Sequence, residues 1–496
     1  MRKIHLLPPK IQGQTVAFEW RVEPATTLYA RTQFTINFPS SVDLSRVPQR
    51  LWWDLLILCL HAHWLLLRPC EIHLPLKLGD GLKQFWLRHL QNGLDTLEAY
   101  GPPQKYPGAL GITIVDGGLD VPYTTVAGSG YGTAFSGGKD SLLQAGLLFE
   151  LTERPLLVAT TSPMPPLADH ITARRRQVFD AIQTRRNPLF VETWSDFRSI
   201  WDNSFAAQLG YRLAVNELTD TFLYTSTLLA VGAALGATHL FVASETEIQD
   251  SKIISGKIVQ HSHFMYSAAT QRALARLLAP YGFRFGSLTW PLHTMQVQQL
   301  LWARYPDLCD LQYSCWSVPE DQATCSQCEQ CLRTAVTALA SGDDPQRMGI
   351  DLRKVLRFAL TWQPIEKRAD TETLPQDDAA DLLAAHVVDA IRRTSPDHLR
   401  RALESRPNGR SSPIDAFKDF ITMRNFRRVR DRVCQLPEPP HMGVREAFFD
   451  WLDADLRDAL VSIYTEHFPL EPRDQHIGSY ERSQALTARA TASMGS

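Results

Sequence analysis

Apolar and polar positions alternate near the start of the chain, in Val16-Ala17-Phe18-Glu19-Trp20 and again in Thr32-Gln33-Phe34-Thr35-Ile36-Asn37-Phe38. A period of two predicts half-buried β-strands. Between Leu51 and Leu67 the pattern becomes almost continuously apolar, with Asp54, His61 and His63 set into it. That run predicts a buried amphipathic helix. It is short for a membrane span, and a mid-helix carboxylate costs about 2.5–3.5 kcal/mol in a bilayer. A strand is expected over 71–78. A helix is expected over 81–100, with apolar positions at Leu82, Phe85, Leu87, Leu90, Leu94 and Leu97. Gly101-Pro102-Pro103 punctuates this block, which is expected to form an N-terminal α+β extension over 1–125.

Farther on, strand patterns alternate with helical ones. Strands are expected over 132–135, 156–160, 189–192 and 239–243, and helices over 140–150 and 223–235. Alternation of this kind predicts an α/β domain over 126–350, its parallel sheet covered on both faces and its ligands at the carboxyl ends of the strands. Beyond residue 350 helical patterns cover 355–360, 379–393, 414–433 and 445–464, broken by Pro437-Glu438-Pro439-Pro440. A helical C-terminal domain is expected over 351–478. Small polar residues make 479–496 an expected disordered tail.

Composition narrows the function classes. The 496 residues are 44% hydrophobic, and Lys+Arg of 51 against Asp+Glu of 53 leaves a net charge of −2. That balance argues against a polybasic nucleic-acid tail and against an acidic disordered chain. No apolar stretch precedes Pro8-Pro9, so no signal peptide is expected, and the protein is expected in the cytoplasm with no membrane anchor. Five arginines between Arg424 and Arg432, and the triplet Arg174-Arg175-Arg176, are candidate anion contacts. A solvated helix face explains the first group as well.

The sharpest local signal is Ser136-Gly137-Gly138-Lys139-Asp140-Ser141, between an expected strand and an expected helix. Glycines let a backbone turn tightly and approach a ligand. The amides at the start of a helix then form an anion site. Ser136 and Ser141 add hydroxyls, Lys139 adds a point charge, and Asp140 is a candidate to position Mg²⁺ or the attacking group. The order of residues differs from G-x-x-x-x-G-K-[ST].

A second signal lies in Cys325-Ser326-Gln327-Cys328-Glu329-Gln330-Cys331. Three thiols at three-residue intervals suit a metal better than a disulfide framework. Cys315 is a natural fourth ligand for a tetrahedral Zn²⁺ site, with Cys309 in reserve. An iron–sulfur cluster is the competing reading.

Together the two motifs resemble a known family. Ser136–Ser141 is similar to the S-G-G-x-D-S signature of PP-loop ATP pyrophosphatases, whose fold is adenine nucleotide alpha hydrolase-like. With Ser314-Cys315-x9-Cys325-x2-Cys328-x2-Cys331 and the segment Ser287-Leu288-Thr289-Trp290-Pro291-Leu292, the chain resembles the 7-cyano-7-deazaguanine synthase (QueC) family over residues 126–345. The resemblance implies that Ser136, Gly137, Gly138, Lys139, Asp140 and Ser141 bind ATP, with Lys139, Asp140 and Ser141 catalytic. It implies that Cys315, Cys325, Cys328 and Cys331 bind zinc, and that the cofactors are ATP, Mg²⁺ and Zn²⁺. Family members adenylate 7-carboxy-7-deazaguanine, displace AMP with ammonia and dehydrate the amide to a nitrile.

The chain departs from the minimal family plan at both ends. It looks similar to the extended antiphage-defence branch (QatC-like or CBASS-associated), in which the acceptor is the N-terminal amine of a partner protein. Glu245, Asp250 and Lys257 are candidate substrate contacts, because they follow the last strand of the domain. Glu247, Lys252, His261 and His263 share that segment. Three other readings stay open: a nitrile-forming synthase using ammonia, a tRNA-thiolating PP-loop enzyme, and a nucleotide-binding scaffold without turnover. An RNA partner is disfavoured by the near-neutral charge.

Overall fold

The structure, a computed structural model, describes residues 1–99, 109–162, 168–211, 213–246, 252–254, 257–259, 264–313, 315, 324–360, 390–404, 412–434, 443–450 and 452–471. The expected tail at 479–496 lies outside them, as do Glu247, Asp250, His261 and His263.

One mixed sheet of eleven strands organises the molecule. In chain order the strands are β1 (Arg2–Leu6), β2 (Lys10–Gln12), β3 (Thr15–Glu23), β4 (Gln33–Asn37), β5 (Cys70–Leu76), β6 (Ile112–Leu119), β7 (Gly130–Ala134), β8 (Leu156–Thr161), β9 (Leu189–Ser195), β10 (Ala237–Phe241) and, after a small ribbon of β11 (Lys252–Ile254) and β12 (Lys257–Val259), β13 (Arg284–Gly286). In space they run β13-β10-β7-β8-β9-β4-β3-β1-β5-β6, with β2 beside β3. The first five of that row are mutually parallel. Antiparallel pairing of β4 with β9, Ile36 opposite Ser195, then joins the N-terminal strands to them. The sheet therefore passes without a break across the boundary expected near residue 125.

Alternation along the strands sorts side chains into two cores. Leu156 and Val158 enter one and Leu157 and Ala159 the other, as period-two geometry requires. The helices Val215–Leu235 and Ala268–Leu278 cover the first face, and Lys139–Leu151 and Ala168–Gln183 cover the second. Two-sided cover of parallel strands is thus present as expected.

The first core shows why the run near Leu51 is so apolar. It forms the helix Gln49–Trp64, in which every residue from Arg50 onward is buried, so it is not amphipathic. Trp52 meets Phe18 and Phe38 on the sheet side, Cys59 meets Ser226 of Val215–Leu235, and His61 meets His89 of the helix Asp80–Ala99. A helix enclosed on three sides has no face left for water. Val215–Leu235 is the one described helix long and apolar enough to cross a membrane, and 83% of its apolar window is buried inside the fold. It begins well before residue 223, because Glu217 accepts the Ala214 N–H at 2.8 Å and Val215, Leu218 and Phe222 extend the buried face.

The second core takes in the C-terminal helices Leu352–Leu360, Pro396–Glu404, Pro413–Val433 and Ala454–Thr465, which share it with Lys139–Leu151 and Thr294–Arg304. The helix expected over 445–464 is interrupted. Val444 donates to the Pro469 carbonyl at 2.8 Å and Arg445 to that of Pro291 at 3.2 Å, which keeps this stretch extended until a short turn at Glu446–Phe449. Apolar residues on both sides of the break enter one core, so their spacing mimics a single helix.

Candidate functional site

β7 lies between β8 and β10. The chain leaves β7 for β8 and β9 on one side and returns to β10 and β13 on the other. A crevice forms at such a reversal, beyond the carboxyl ends of the strands. Ser136–Ser141 occupies this position. Gly137 takes φ +82°, a left-handed conformation that costs a side-chain-bearing residue roughly 1–2 kcal/mol. Gly138 caps the helix Lys139–Leu151 with no side chain of its own.

The Ser141 hydroxyl organises the turn. It accepts from the N–H of Ser136 at 3.3 Å and of Gly137 at 3.1 Å, and it donates to the Gly138 carbonyl at 3.0 Å. The Ser136 hydroxyl accepts from the Gly138 N–H at 3.4 Å. Gln144, one turn into the helix, donates to Thr133 at 2.6 Å and accepts from the Leu288 N–H at 2.9 Å. Beyond the end of β10, the Ser244 N–H is fixed by the hydroxyls of Ser287 at 3.0 Å and Thr289 at 3.1 Å. That is the work of the Ser287–Leu292 segment: it positions the residue before Glu245.

Lys139, Asp140 and Glu245 converge. The Lys139 ammonium contacts Asp140 and lies 3.1 Å from Glu245 Oε1, which also accepts from Thr294 at 3.1 Å. Burial opposes the charge on Lys139, but the two carboxylates outweigh it and raise its pKa. Burial raises Asp140 as well, and the charge of Glu245 adds to this. Two carboxylates thus share one ammonium, with Lys139 and Glu245 buried and Asp140 half-buried at the mouth. Arg333 is within electrostatic reach of both Lys139 and Asp140. Sequence reasoning missed Thr294 and Arg333, because nothing in their local motifs marks them.

Of the candidate substrate residues, Glu245 joins the loop, and Asp250 lies outside the described residues. Lys257 falls on β12, opposite Ile254, in a ribbon that runs against Asp80–Ala99.

The sulfur atoms of Cys315, Cys325, Cys328 and Cys331 all lie within 4.8 Å of one another. Separations of 4.0 Å (Cys315 to Cys328), 3.8 Å (Cys325 to Cys331) and 3.4 Å (Cys328 to Cys331) bracket the spacing of about 3.8 Å that follows from four Zn–S bonds of about 2.3 Å in a tetrahedron. Ser326 turns the chain with φ 51°, and the N–H groups of Gln327 and Cys328 point at the Cys325 sulfur. Hydrogen bonding to Cys315 and Cys331 drives the Cys328 thiol down, whereas Cys315 and Cys328 drive Cys331 up; a metal would require all four as thiolates. This donor set fits a closed structural zinc site. Cys309 is excluded from it, being packed against Asp343 and Gln298.

The two sites touch. The Tyr313 N–H, two residues before Cys315, donates to the Gly137 carbonyl at 2.8 Å, and Arg333 follows Cys331 by two residues. Of the arginines in the 424–432 stretch, Arg424, Arg427 and Arg428 are exposed, and Arg430 donates to the Thr394 carbonyl. No family model, no curated protein and no solved structure matches the chain.

Proposed function

We propose that the chain is an ATP-dependent, AMP-forming ligase. It adenylates a 7-carboxy-7-deazaguanine-like carboxylate and passes the acyl group to an amine, the N-terminus of a partner protein. The observation that carries this reading is the Ser136–Ser141 turn at the reversal of strand order, backed by Lys139 and two carboxylates. In this reading the β- and γ-phosphates meet the loop amides and the start of Lys139–Leu151. Lys139 offsets phosphate charge. Asp140 and Glu245 are hard oxygen donors that would hold Mg²⁺, which neutralises the charge developing on the phosphates.

The step balances simply. A carboxylate oxygen forms a bond to the α-phosphorus and pyrophosphate departs. The amine nitrogen then bonds to the acyl carbon, its proton passes to solvent, and AMP leaves. The zinc knuckle has no part in bond making. It holds Tyr313 against Gly137 and Arg333 beside Lys139. The long N- and C-terminal segments supply surface beyond what a small amine needs, which favours a protein acceptor over ammonia.

The test is product analysis after mixing the protein with Mg-ATP and 7-carboxy-7-deazaguanine in the absence of amine. Substrate-dependent AMP or an adenylated deazaguanine is the expected result. Its absence from zinc-loaded, folded protein would overturn the assignment of substrate. Adding ammonia or candidate partner proteins then separates the two acceptors.

A further inference from the structure

On the β8–β9 side of the crevice, buried hydrogen-bond donors lack partners. Arg175, on the helix Ala168–Gln183, donates one bond, to the carbonyl of Thr160 at the end of β8, at 2.9 Å. Its Nε is shielded from solvent and has no partner among the described residues, as is also true of the Nε atoms of Arg174 and Arg198. Tyr313 is 7% exposed, and its hydroxyl has no partner among the described residues. This phenol is within electrostatic reach of Arg175 and Arg174, while its own N–H holds Gly137.

The next cation on this rim is already neutralised. Arg198, just beyond β9, lies 2.5 Å from Asp220 and 2.5 Å from the Tyr224 hydroxyl. The carboxylate that acts electrostatically on Arg175 is Glu192, which is engaged by Arg176 at 3.2 Å. Arg175, fixed at the end of β8, thus has no ion-paired carboxylate among the described residues, and Tyr313, held against Gly137 and within electrostatic reach of Arg175, carries an idle hydroxyl. Such groups are costly to bury unless an acceptor reaches them.

We propose that Arg175 and Tyr313 form an oxyanion subsite, separate from the loop amides, on the β8–β9 wall of the crevice. A guanidinium edge and a phenol suit a phosphate or carboxylate group. The adenylation reading supplies two sources of that chemistry, the pyrophosphate end of ATP and the carboxylate of the co-substrate. The inference rests on that reading for the identity of the oxyanion. The unpartnered donors stand without it.

The test is calorimetric titration of the full, zinc-loaded chain with magnesium pyrophosphate, with 7-carboxy-7-deazaguanine and with AMP. It compares the wild type with Arg175→Gln and Tyr313→Phe. Each substitution is expected to weaken one oxyanion roughly tenfold and leave AMP unchanged. Loss confined to pyrophosphate assigns the subsite to ATP, and loss confined to the carboxylate assigns it to the co-substrate. Tyr313→Phe removes only an unpartnered hydroxyl, so its melting temperature should hold or rise; this variant keeps the test sound if Arg175→Gln folds poorly. Unchanged binding of both oxyanions in Tyr313→Phe, no oxyanion binding by the wild type, or equal weakening of all three ligands overturns the subsite. AMP production by a wild type whose variants bind normally sinks the subsite alone. Arg175-dependent pyrophosphate binding without AMP production sinks the ligase reading alone.

Discussion

Two buried ion clusters in this protein solve the same electrostatic problem in opposite ways. In the first core, Arg50 lies 3.5 Å from Asp54. Its remaining N–H groups reach the carbonyls of Lys77 at 3.3 Å and Val121 at 3.4 Å, and the Tyr123 hydroxyl at 3.5 Å. Tyr281 donates to Asp54 at 2.6 Å. One cation meets one carboxylate and protein groups take most of the remaining valence, though Arg50 Nε and Asp54 Oδ1 themselves make no hydrogen bond among the described residues. At the crevice the Lys139 ammonium meets two carboxylates with Arg333 in electrostatic reach, and the donors of Arg175 and Tyr313 nearby lack partners among the described residues. The first arrangement is closed inside the core by backbone carbonyls; the second gathers two carboxylates and two cations around a glycine turn at a strand end. The difference teaches that neither buried charge nor an unpartnered atom by itself distinguishes the two clusters; their place in the fold does.

The largest break in this contrast comes from the metal. Chelation, or Cys328→Ser, should release zinc and loosen both Tyr313 and Arg333 from the loop. Structural zinc contributes about 10–16 kcal/mol in isolated knuckles. Metal content and the melting temperature should fall together. An unaltered melting temperature in metal-free protein would remove the knuckle from this account.

Next come substitutions in each ion cluster. Arg50→Met strands Asp54 in the core and should cost about 3–5 kcal/mol of stability in a denaturant titration, with any surviving folded protein still making AMP. Asp140→Asn should do the reverse. It relieves a carboxylate pressed by burial and by Glu245, so the melting temperature should hold, while AMP formation falls about 10²–10³-fold. Equal effects of both substitutions on stability would erase the distinction.

The pH dependence sharpens it further. Burial pushes the Asp54 carboxyl up to about 6. Between about pH 4 and 6 the folded state therefore keeps a proton that the unfolded state has released, and this group's contribution falls as pH rises through the window. Burial drives His61 down to about 4 and His63 down to about 3. For them the unfolded state binds the extra proton, so stability is lost as pH drops below about 6.5. The histidines outnumber Asp54, and the protein should be acid-labile. Asp54→Asn should steepen the loss between pH 6 and 4 by up to about 1.4 kcal/mol per pH unit. Melting curves across that range decide it.

The smallest effect expected is that of Gly137→Ala. Among the described residues other than its chain neighbours, no atom would stand nearer than 3.8 Å to the new Cβ, so the cost of about 1–2 kcal/mol is conformational. The AMP yield should fall more than the stability does, because the turn aims the loop amides.

Much of the site was legible locally. Gly137, Lys139 and Ser141 advertise a turn into a helix, and three cysteines at intervals of three advertise a knuckle, because neighbours in sequence build both. Glu245 was found through its place after a strand. Thr294, Arg333 and the idle hydroxyl of Tyr313 carried no such mark, and they reach the loop only through packing. Legibility of the fold followed the same rule. Alternation near Val16 and Thr32 predicted strands that β3 and β4 supply, yet the break at Val444–Arg445 was hidden, since residues on both sides of it feed one core.

The amino-acid sequence by itself determined the periodic elements, the glycine turn at Ser136–Ser141 and the thiol set, since all three rest on interactions a few residues long. Only the tertiary structure decided that β4 pairs with β9 and makes one sheet of two sequence blocks. It alone brought Glu245 to Lys139 and laid Tyr313 across Gly137. Those contacts join residues far apart in the chain. Their partners are chosen by which faces must leave water and which charges must be met there, and no local pattern records that choice.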